Sequence, residues 1–144
     1  MTTKHETPPQ PHSLAPHRLP TRIYYEDTDA GGIVYHSNYL KFAERGRTEF
    51  LRTLGYDHHQ VMADHGIQMV VRHAEIDYRA SARLDDMLTI TTEVIEFGNS
   101  SITMRQIAYL GEKVLADMKI VLVAVSAIGK AARIPPQLRQ IFGK

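Results

Sequence analysis

Two aspartates and two glycines stand together in a short segment whose residue types suit acyl transfer. The segment is Asp27-Thr28-Asp29-Ala30-Gly31-Gly32, and a stretch with helical periodicity follows it closely. The backbone N–H groups of a first helical turn have no partner within the helix, and the helix dipole adds partial positive charge there. A carbonyl oxygen at that point would find a donor as it gains negative charge. A carboxylate from the preceding loop could then attack the carbonyl or activate a water.

Spacing alone leaves a second interpretation open, because Asp and Gly before a helix also form ordinary turns and helix caps. Several other known motifs do not match the sequence. A calcium loop that begins at Asp27 would need a glutamate where Asn38 stands. No Gly-x-Ser-x-Gly sequence is present, which argues against a serine hydrolase. The histidines at 58, 59 and 65 do not form the His-Glu-x-x-His pattern, so no metal site is expected.

The elements that must position this segment begin with a strand and a long helix. Residues 22–26 are rich in aromatic side chains and predict the strand. Apolar residues then recur at three- and four-residue steps and predict a helix that Ser37 or Asn38 caps and Gly55 ends. Gly46 falls on the apolar stripe of this helix, which leaves open a close approach to a sheet or a tolerated glycine.

The rest of the chain predicts strands, after a loop that contains His58, His59 and His65. Four strands are expected, near residues 67–78, 88–95, 102–110 and 120–125, with a bulge near His73 and turns at 98–100 and 111–112. A short helix should follow from Gln137 to Phe142. Consecutive strands after one helix indicate an α+β fold with an antiparallel sheet. One helix covers a single face of such a sheet, so a homo-oligomer is expected.

Composition narrows the class of protein. The 144 residues suit one domain, 43% are hydrophobic, and the net charge of +1 gives no reason to expect nucleic acid as a partner. The absence of cysteine excludes disulfides and a cysteine nucleophile. Neither a membrane span nor a secretory signal is visible, so a cytoplasmic location is expected. Residues 1–19 are rich in proline and histidine and predict a flexible arm before a domain of residues 20–144.

Residues 24–54 resemble the signature of the 4-hydroxybenzoyl-CoA thioesterase family. Within that family they are most similar to the bacterial acyl-CoA thioesterases associated with the Tol–Pal cell-envelope system. The resemblance is carried by Tyr25-Glu26-Asp27-Thr28-Asp29, Gly32-Ile33-Val34-Tyr35-His36, Asn38-Tyr39 and Glu44-Arg45-x-Arg47-Thr48-Glu49. It extends over about residues 20–144, since the later strands also fit the family.

This resemblance implies a hotdog fold, which is an antiparallel sheet wrapped around one long central helix. It implies hydrolysis of an acyl-CoA or acyl-carrier thioester, with Asp29 as nucleophile or general base and the backbone N–H of His36 polarising the carbonyl. No cofactor is expected, because coenzyme A is part of the substrate. The active sites should lie between the subunits of a homodimer or homotetramer. The expected substrate-binding residues are Gly32, Tyr35, Asn38, Met69 and Val70.

Within that set, Gly32 should permit close approach of the thioester and Asn38 should brace the start of the helix. Tyr35, Met69 and Val70 are either lining residues of the acyl pocket or plain core. Cations and hydroxyls that could bind the phosphates of coenzyme A cannot be ranked; they are Arg79, Arg83, Ser100, Ser101, Lys130 and Arg133. The alternative function is a non-catalytic acyl-carrier or lipid-binding subunit that uses the same cavity.

Overall fold

Five antiparallel strands form one sheet in this computed structural model, which describes residues 15–142. The strands are β1 (His17–Arg22), β2 (Ile67–Tyr78), β3 (Met87–Phe97), β4 (Ser101–Leu110) and β5 (Lys113–Ser126). Their order across the sheet is β1-β3-β4-β5-β2, so β2 lies at one edge and the short β1 at the other. The α+β architecture with an antiparallel sheet, predicted from the order of the elements, is confirmed.

The helices are α1 (Asn38–Thr53), α2 (His58–His65) and α3 (Pro136–Ile141), and a 3₁₀ turn spans Tyr25–Asp27. The long helix α1 lies against one face of the sheet, where its buried side chains join those of β3, β4 and β5 in a single core. It ends as the sequence predicted: Gly55 has a φ of +91°, and the Tyr56 N–H donates to the Leu51 carbonyl at 3.1 Å.

Gly46 lies where α1 comes closest to the sheet. A Cβ atom at this position would stand 3.0 Å from Thr92 Oγ1, 3.1 Å from Gln106 Nε2 and 3.2 Å from Ile90 Cγ2. These distances are shorter than ordinary van der Waals contact, and all three neighbours are fully buried. The close approach that the sequence left as one of two interpretations is therefore the correct one.

Besides β5, which begins at Lys113 instead of residue 120, two segments differ from the sequence predictions. The first strand begins at His17 instead of residue 22, so residues 17–19 belong to the sheet and not to the predicted arm. Pro20 is tolerated because β1 is an edge strand, where a missing N–H need not break a ladder. Residues 1–14, which hold the rest of the predicted arm, lie outside the described residues.

The second difference is α2, which replaces the loop expected around the histidines. Asp57 caps this helix by accepting a hydrogen bond from the Gln60 N–H at 2.8 Å, and Gly66 ends it in the left-handed conformation with a φ of +70°. Only Val61 of α2 is buried, so the apolar pattern was too weak to reveal the helix. The remaining predicted turns, the bulge between Val71 and His73 and the last helix agree with the structure to within about a residue.

Gly46→Val should lower the free energy of unfolding by about 2–4 kcal/mol. Over-packing costs about 1–3 kcal/mol, and Val has a lower helix propensity than the best helix formers. Urea unfolding followed by circular dichroism would measure the change. Arg52→Val is the matched control on the exposed side of α1, where only an exposed ion pair with Glu49 is lost. Equal stabilities of the two variants would contradict the close approach.

Candidate active site

The loop between β1 and α1 is folded back on itself by backbone hydrogen bonds. The Asp29 N–H donates to the Ile33 carbonyl at 2.8 Å, and the Gly32 N–H donates to the Asp29 carbonyl at 2.9 Å. Thr28 and Val34 form an antiparallel bridge just outside this pair. Gly32 has a φ of +82°, a conformation that L side chains rarely adopt. The loop is thus a tight hairpin with Asp29 near its tip.

The Asp29 carboxylate is held by its own loop and is exposed to solvent. Its Oδ1 accepts a hydrogen bond from the Gly31 N–H at 2.9 Å, which fixes the direction of the carboxylate. No side-chain cation pairs with it at ion-pair distance among residues 15–142. An exposed, oriented and unpaired carboxylate can act as a nucleophile or as a general base.

The hairpin is joined directly to the start of α1. Asp27 provides the junction: its carbonyl accepts hydrogen bonds from the Tyr35 N–H at 3.0 Å and from Asn38 Nδ2 at 2.9 Å. Its carboxylate accepts from the Tyr24 N–H at 2.8 Å. Asn38 therefore lies half-buried at the start of the helix, where it braces the loop, and Asp27 serves as a structural residue.

His36 lies two residues before the start of α1, with its side chain exposed beside the exposed ring of Tyr35. Its backbone N–H has no hydrogen-bond partner among the described residues, and neither has that of Ser37. The His36 carbonyl accepts a hydrogen bond from the Tyr78 hydroxyl at 2.9 Å. These N–H groups, at the positive end of the α1 dipole, are suited to bind a carbonyl oxygen.

A segment after β2 supports the hairpin from behind. The Val34 N–H donates to the Ala82 carbonyl at 2.9 Å, and the Ala82 N–H donates to the Tyr39 hydroxyl at 3.3 Å. Burial raises the pKa of Tyr39, so its hydroxyl stays neutral. Ile33 forms a bridge with Arg83, whose guanidinium Nη1 lies 3.9 Å from the position of a Cβ on Gly32. Arg83 is thus the candidate phosphate-binding cation beside the Asp29 loop.

The other candidate phosphate-binding residues are placed differently. Arg79 forms ion pairs with Asp77 and Asp117, so it is already neutralised. Ser100 and Ser101 lie at the beginning of β4, at the other end of the sheet from Arg83. Sequence spacing could not separate these groups, because the bridge between Ile33 and Arg83 joins residues 50 positions apart.

Met69 and Val70 occupy consecutive positions on β2, so they point to opposite faces of the sheet. Met69 faces the helix and lines an apolar cavity of about 30 Å³ with side chains that include Leu51 and Val61. That volume holds about two water molecules and is too small for an acyl chain. Asp29, Gly32 and Tyr35 do not line it. Within one chain, Met69 and Val70 are therefore not brought together with the Asp29 loop.

Within the part of the chain that the structure describes, no three histidine, aspartate or glutamate side chains are grouped to hold a metal ion. In the same residues, no helix has the length and apolar character needed to cross a membrane.

An antiparallel sheet laid on one long helix is the hotdog arrangement. The chain belongs to the Thioesterase-like superfamily, whose family model matches residues 24–142. Acyl-CoA thioester hydrolase YbgC of Escherichia coli O6:H1 is 40% identical over 121 residues, which cover 83% of this chain and 90% of that one. Acyl-CoA thioesterase YbgC of Haemophilus influenzae is 48% identical over 88 residues. These residues cover 61% of this chain and 65% of the Haemophilus protein, which is just under two thirds of its length.

A solved structure gives the same fold. The crystal structure of 4-hydroxybenzoyl CoA thioesterase bound to 4-hydroxybenzoyl CoA superposes with a TM-score of 0.80, covering 91% of this chain and 99% of the other. At 20% identity this likeness concerns the fold alone. The family resemblance drawn from residues 24–54 and the hotdog fold are confirmed, whereas the roles of the individual residues stay predictions.

Gly32→Ala should lower the free energy of unfolding by about 1–2 kcal/mol, because an L residue is strained at this φ. A Cβ there would contact only Arg83, so the cost is that of the backbone. Gly31→Ala is the control, since Gly31 does not have a positive φ and its Cβ would instead press on Asp29 Oδ1 at 3.3 Å. If urea unfolding showed the two variants equally stable, the strained hairpin would be in doubt.

Proposed function

We propose that this protein hydrolyses acyl-CoA thioesters to a free acid and a thiol, with Asp29 as the catalytic carboxylate. The observation that carries the proposal is the oriented, exposed Asp29 carboxylate on a hairpin bonded to the start of α1, where N–H groups lack partners. Relatives named as acyl-CoA thioester hydrolases match most of the chain. An acyl-carrier thioester is the second possible form of the substrate.

The reaction balances without a cofactor. The thioester carbonyl oxygen accepts from the His36 N–H and becomes an oxyanion when the carbon is attacked. In one route the Asp29 carboxylate attacks, the C–S bond breaks, and water hydrolyses the resulting anhydride. In the other, Asp29 removes a proton from a water that attacks directly, the C–S bond breaks, and the departing thiolate takes up that proton. Both consume one water and release one acid and one thiol; that no cofactor takes part stays a prediction.

We further propose that a second copy of the chain completes the site. β2 is an edge strand of 12 residues, and beside it lies a groove of about 300 Å³ between α1 and the sheet. Leu40 and Val71 line this groove, and Val71 is 49% exposed. An exposed strand edge beside a groove that is apolar in part calls for a partner. Because the cavity beside Met69 is too small for an acyl chain, the acyl group is expected between two copies.

In this arrangement Tyr35, exposed beside the Asp29 hairpin, contacts the acyl group, and Gly32 lets the thioester approach the carboxylate. Arg83 binds a phosphate of the coenzyme, since its guanidinium lies next to Gly32. Association as a dimer or a tetramer and a cytoplasmic location are parts of the same proposal. A non-catalytic lipid-binding role would retain the groove but would need no oriented carboxylate.

Asp29→Asn should lower kcat/KM for acyl-CoA thioesters on the order of 10³-fold, because the amide keeps the hydrogen-bonding shape but can neither attack nor accept a proton. Release of free thiol from a panel of short, long and aromatic acyl-CoA thioesters would be measured. Asp64→Asn, on the exposed face of α2, is the matched control. Turnover by Asp29→Asn equal to that of the control would exclude the mechanism, and no turnover by the natural protein would favour the lipid-binding role.

Val71→Asp should dissociate the protein and lower turnover at least tenfold, because removing a carboxylate from water in the groove between two copies costs more than a surface ion pair returns. Light scattering after size-exclusion chromatography gives the oligomeric state, and thiol release gives the activity. Ile95→Asp, on an exposed position of β3, is the control and should keep both the dimer and the turnover. A Val71→Asp variant that stays dimeric and active would contradict this interface.

A further inference from the structure

The backbone just before α1 is held at two successive carbonyl groups. The Tyr35 carbonyl accepts a hydrogen bond from the Asn38 N–H at 2.9 Å. The next carbonyl, that of His36, accepts from the Tyr78 hydroxyl, also at 2.9 Å. The first bond lies within the helix start itself. The second comes from the end of β2, 42 positions away along the chain.

These two bonds determine where the unpartnered N–H groups point. In a planar trans peptide the N–H is directed opposite to the C=O of the same unit. Holding the Tyr35 carbonyl therefore orients the His36 N–H, and holding the His36 carbonyl orients the Ser37 N–H. Both N–H groups lack partners among residues 15–142. Rotation of the peptide between His36 and Ser37 would turn the Ser37 N–H away from a carbonyl bound at the helix start.

The ring of Tyr78 is itself seated between aromatic side chains. Its centroid lies 6.2 Å from that of His36 and 5.8 Å from that of Tyr39, both in edge-on geometry. Tyr39 is buried in the core, so it gives Tyr78 a fixed support. The hydroxyl is consequently directed at the His36 carbonyl by a packed ring, although Tyr78 as a whole is 46% exposed.

We propose that Tyr78 is a positioning residue of the thioesterase site, whose hydroxyl holds the peptide between His36 and Ser37 so that the Ser37 N–H, which binds the carbonyl together with the His36 N–H, keeps its direction. This inference rests on the proposed function. Tyr78 does not touch the reacting atoms; it acts through the backbone of His36. Desolvation raises the pKa of Tyr78, so the hydroxyl keeps its proton and remains a donor over the working range of pH.

Tyr78→Phe removes only the hydroxyl and keeps the ring contacts. We expect kcat to fall about fivefold to tenfold, the size of one lost hydrogen bond, with KM within about twofold. The melting temperature should stay within a few degrees. In ¹⁵N relaxation, the order parameter of Ser37 should fall below about 0.85, the value of rigid backbone, while those of Ala43 and Gly46 stay unchanged.

Tyr109→Phe on β4 is the matched control, because the Tyr109 hydroxyl makes no hydrogen bond to the described residues. Natural kcat and unchanged order at Ser37 in Tyr78→Phe would overturn the proposal. So would a large fall in melting temperature, since the hydroxyl would then serve folding. Asp29→Asn separates this failure from that of the proposed function: if it abolishes turnover while Tyr78→Phe does not reduce kcat, only the role of Tyr78 is wrong.

Discussion

The placement of α1 on the sheet depends on one buried amide, that of Gln106. Its Nε2 donates to the Ala43 carbonyl and to Thr92 Oγ1, both at 2.8 Å, and its Oε1 accepts from Arg47 Nη1 at 2.9 Å. A buried polar group that loses its partner costs about 1–3 kcal/mol. A rotation or shift of α1 by one residue would remove the Ala43 carbonyl from reach. The amide therefore fixes both the rotation of the helix and its position along the sheet.

The missing side chain at Gly46 makes this bond possible. It lets the helix backbone come within reach of Gln106, while Thr92 and Ile90 fill the space that a Cβ would take. Once the middle of α1 is fixed, the start of the helix is fixed as well, because an α-helix is a stiff rod over four turns. The Asp29 hairpin is then bonded to that start through Asp27, so core packing determines where the carboxylate and the N–H groups stand.

Local sequence patterns predicted the parts of this arrangement that depend on neighbours along the chain. The apolar stripe of α1 and the glycine turns between strands carry their own periodicity or turn chemistry, so their positions were correct. Residues 23–26 were wrongly predicted as strand because the tyrosines have a high β-propensity. In the structure the Asp27 carboxylate holds the Tyr24 N–H in a tight turn. The short α2 was missed because its signal lies in one cap and one glycine.

Contacts between distant positions could not be predicted in the same way. Tyr78 was assigned only to a strand, since nothing in the sequence indicates a bond to a backbone carbonyl 42 positions earlier. Arg83 was one of several surface cations until its bridge to Ile33 placed it beside Gly32. The carboxylate and the helix start were recognisable because they lie within one continuous segment. The groups that support them come from distant parts of the chain, and the folding of the sheet brings them close.

The closely packed core also bears on how an acyl group would be selected. On the proposed function, an acyl chain cannot enter the cavity beside Met69 without displacing side chains that hold α1 to the sheet, and such rearrangement of a core is costly. The groove beside β2 carries no such constraint, because Leu40 and Val71 lie at its surface. Substitutions of Leu40 or Val71 can change the depth of the site without disturbing Gln106 or Gly46, whereas Arg47, which also lines the groove, is bonded to Gln106. Acyl-chain selectivity is therefore expected to reside in the groove, separate from the residues that stabilise the fold.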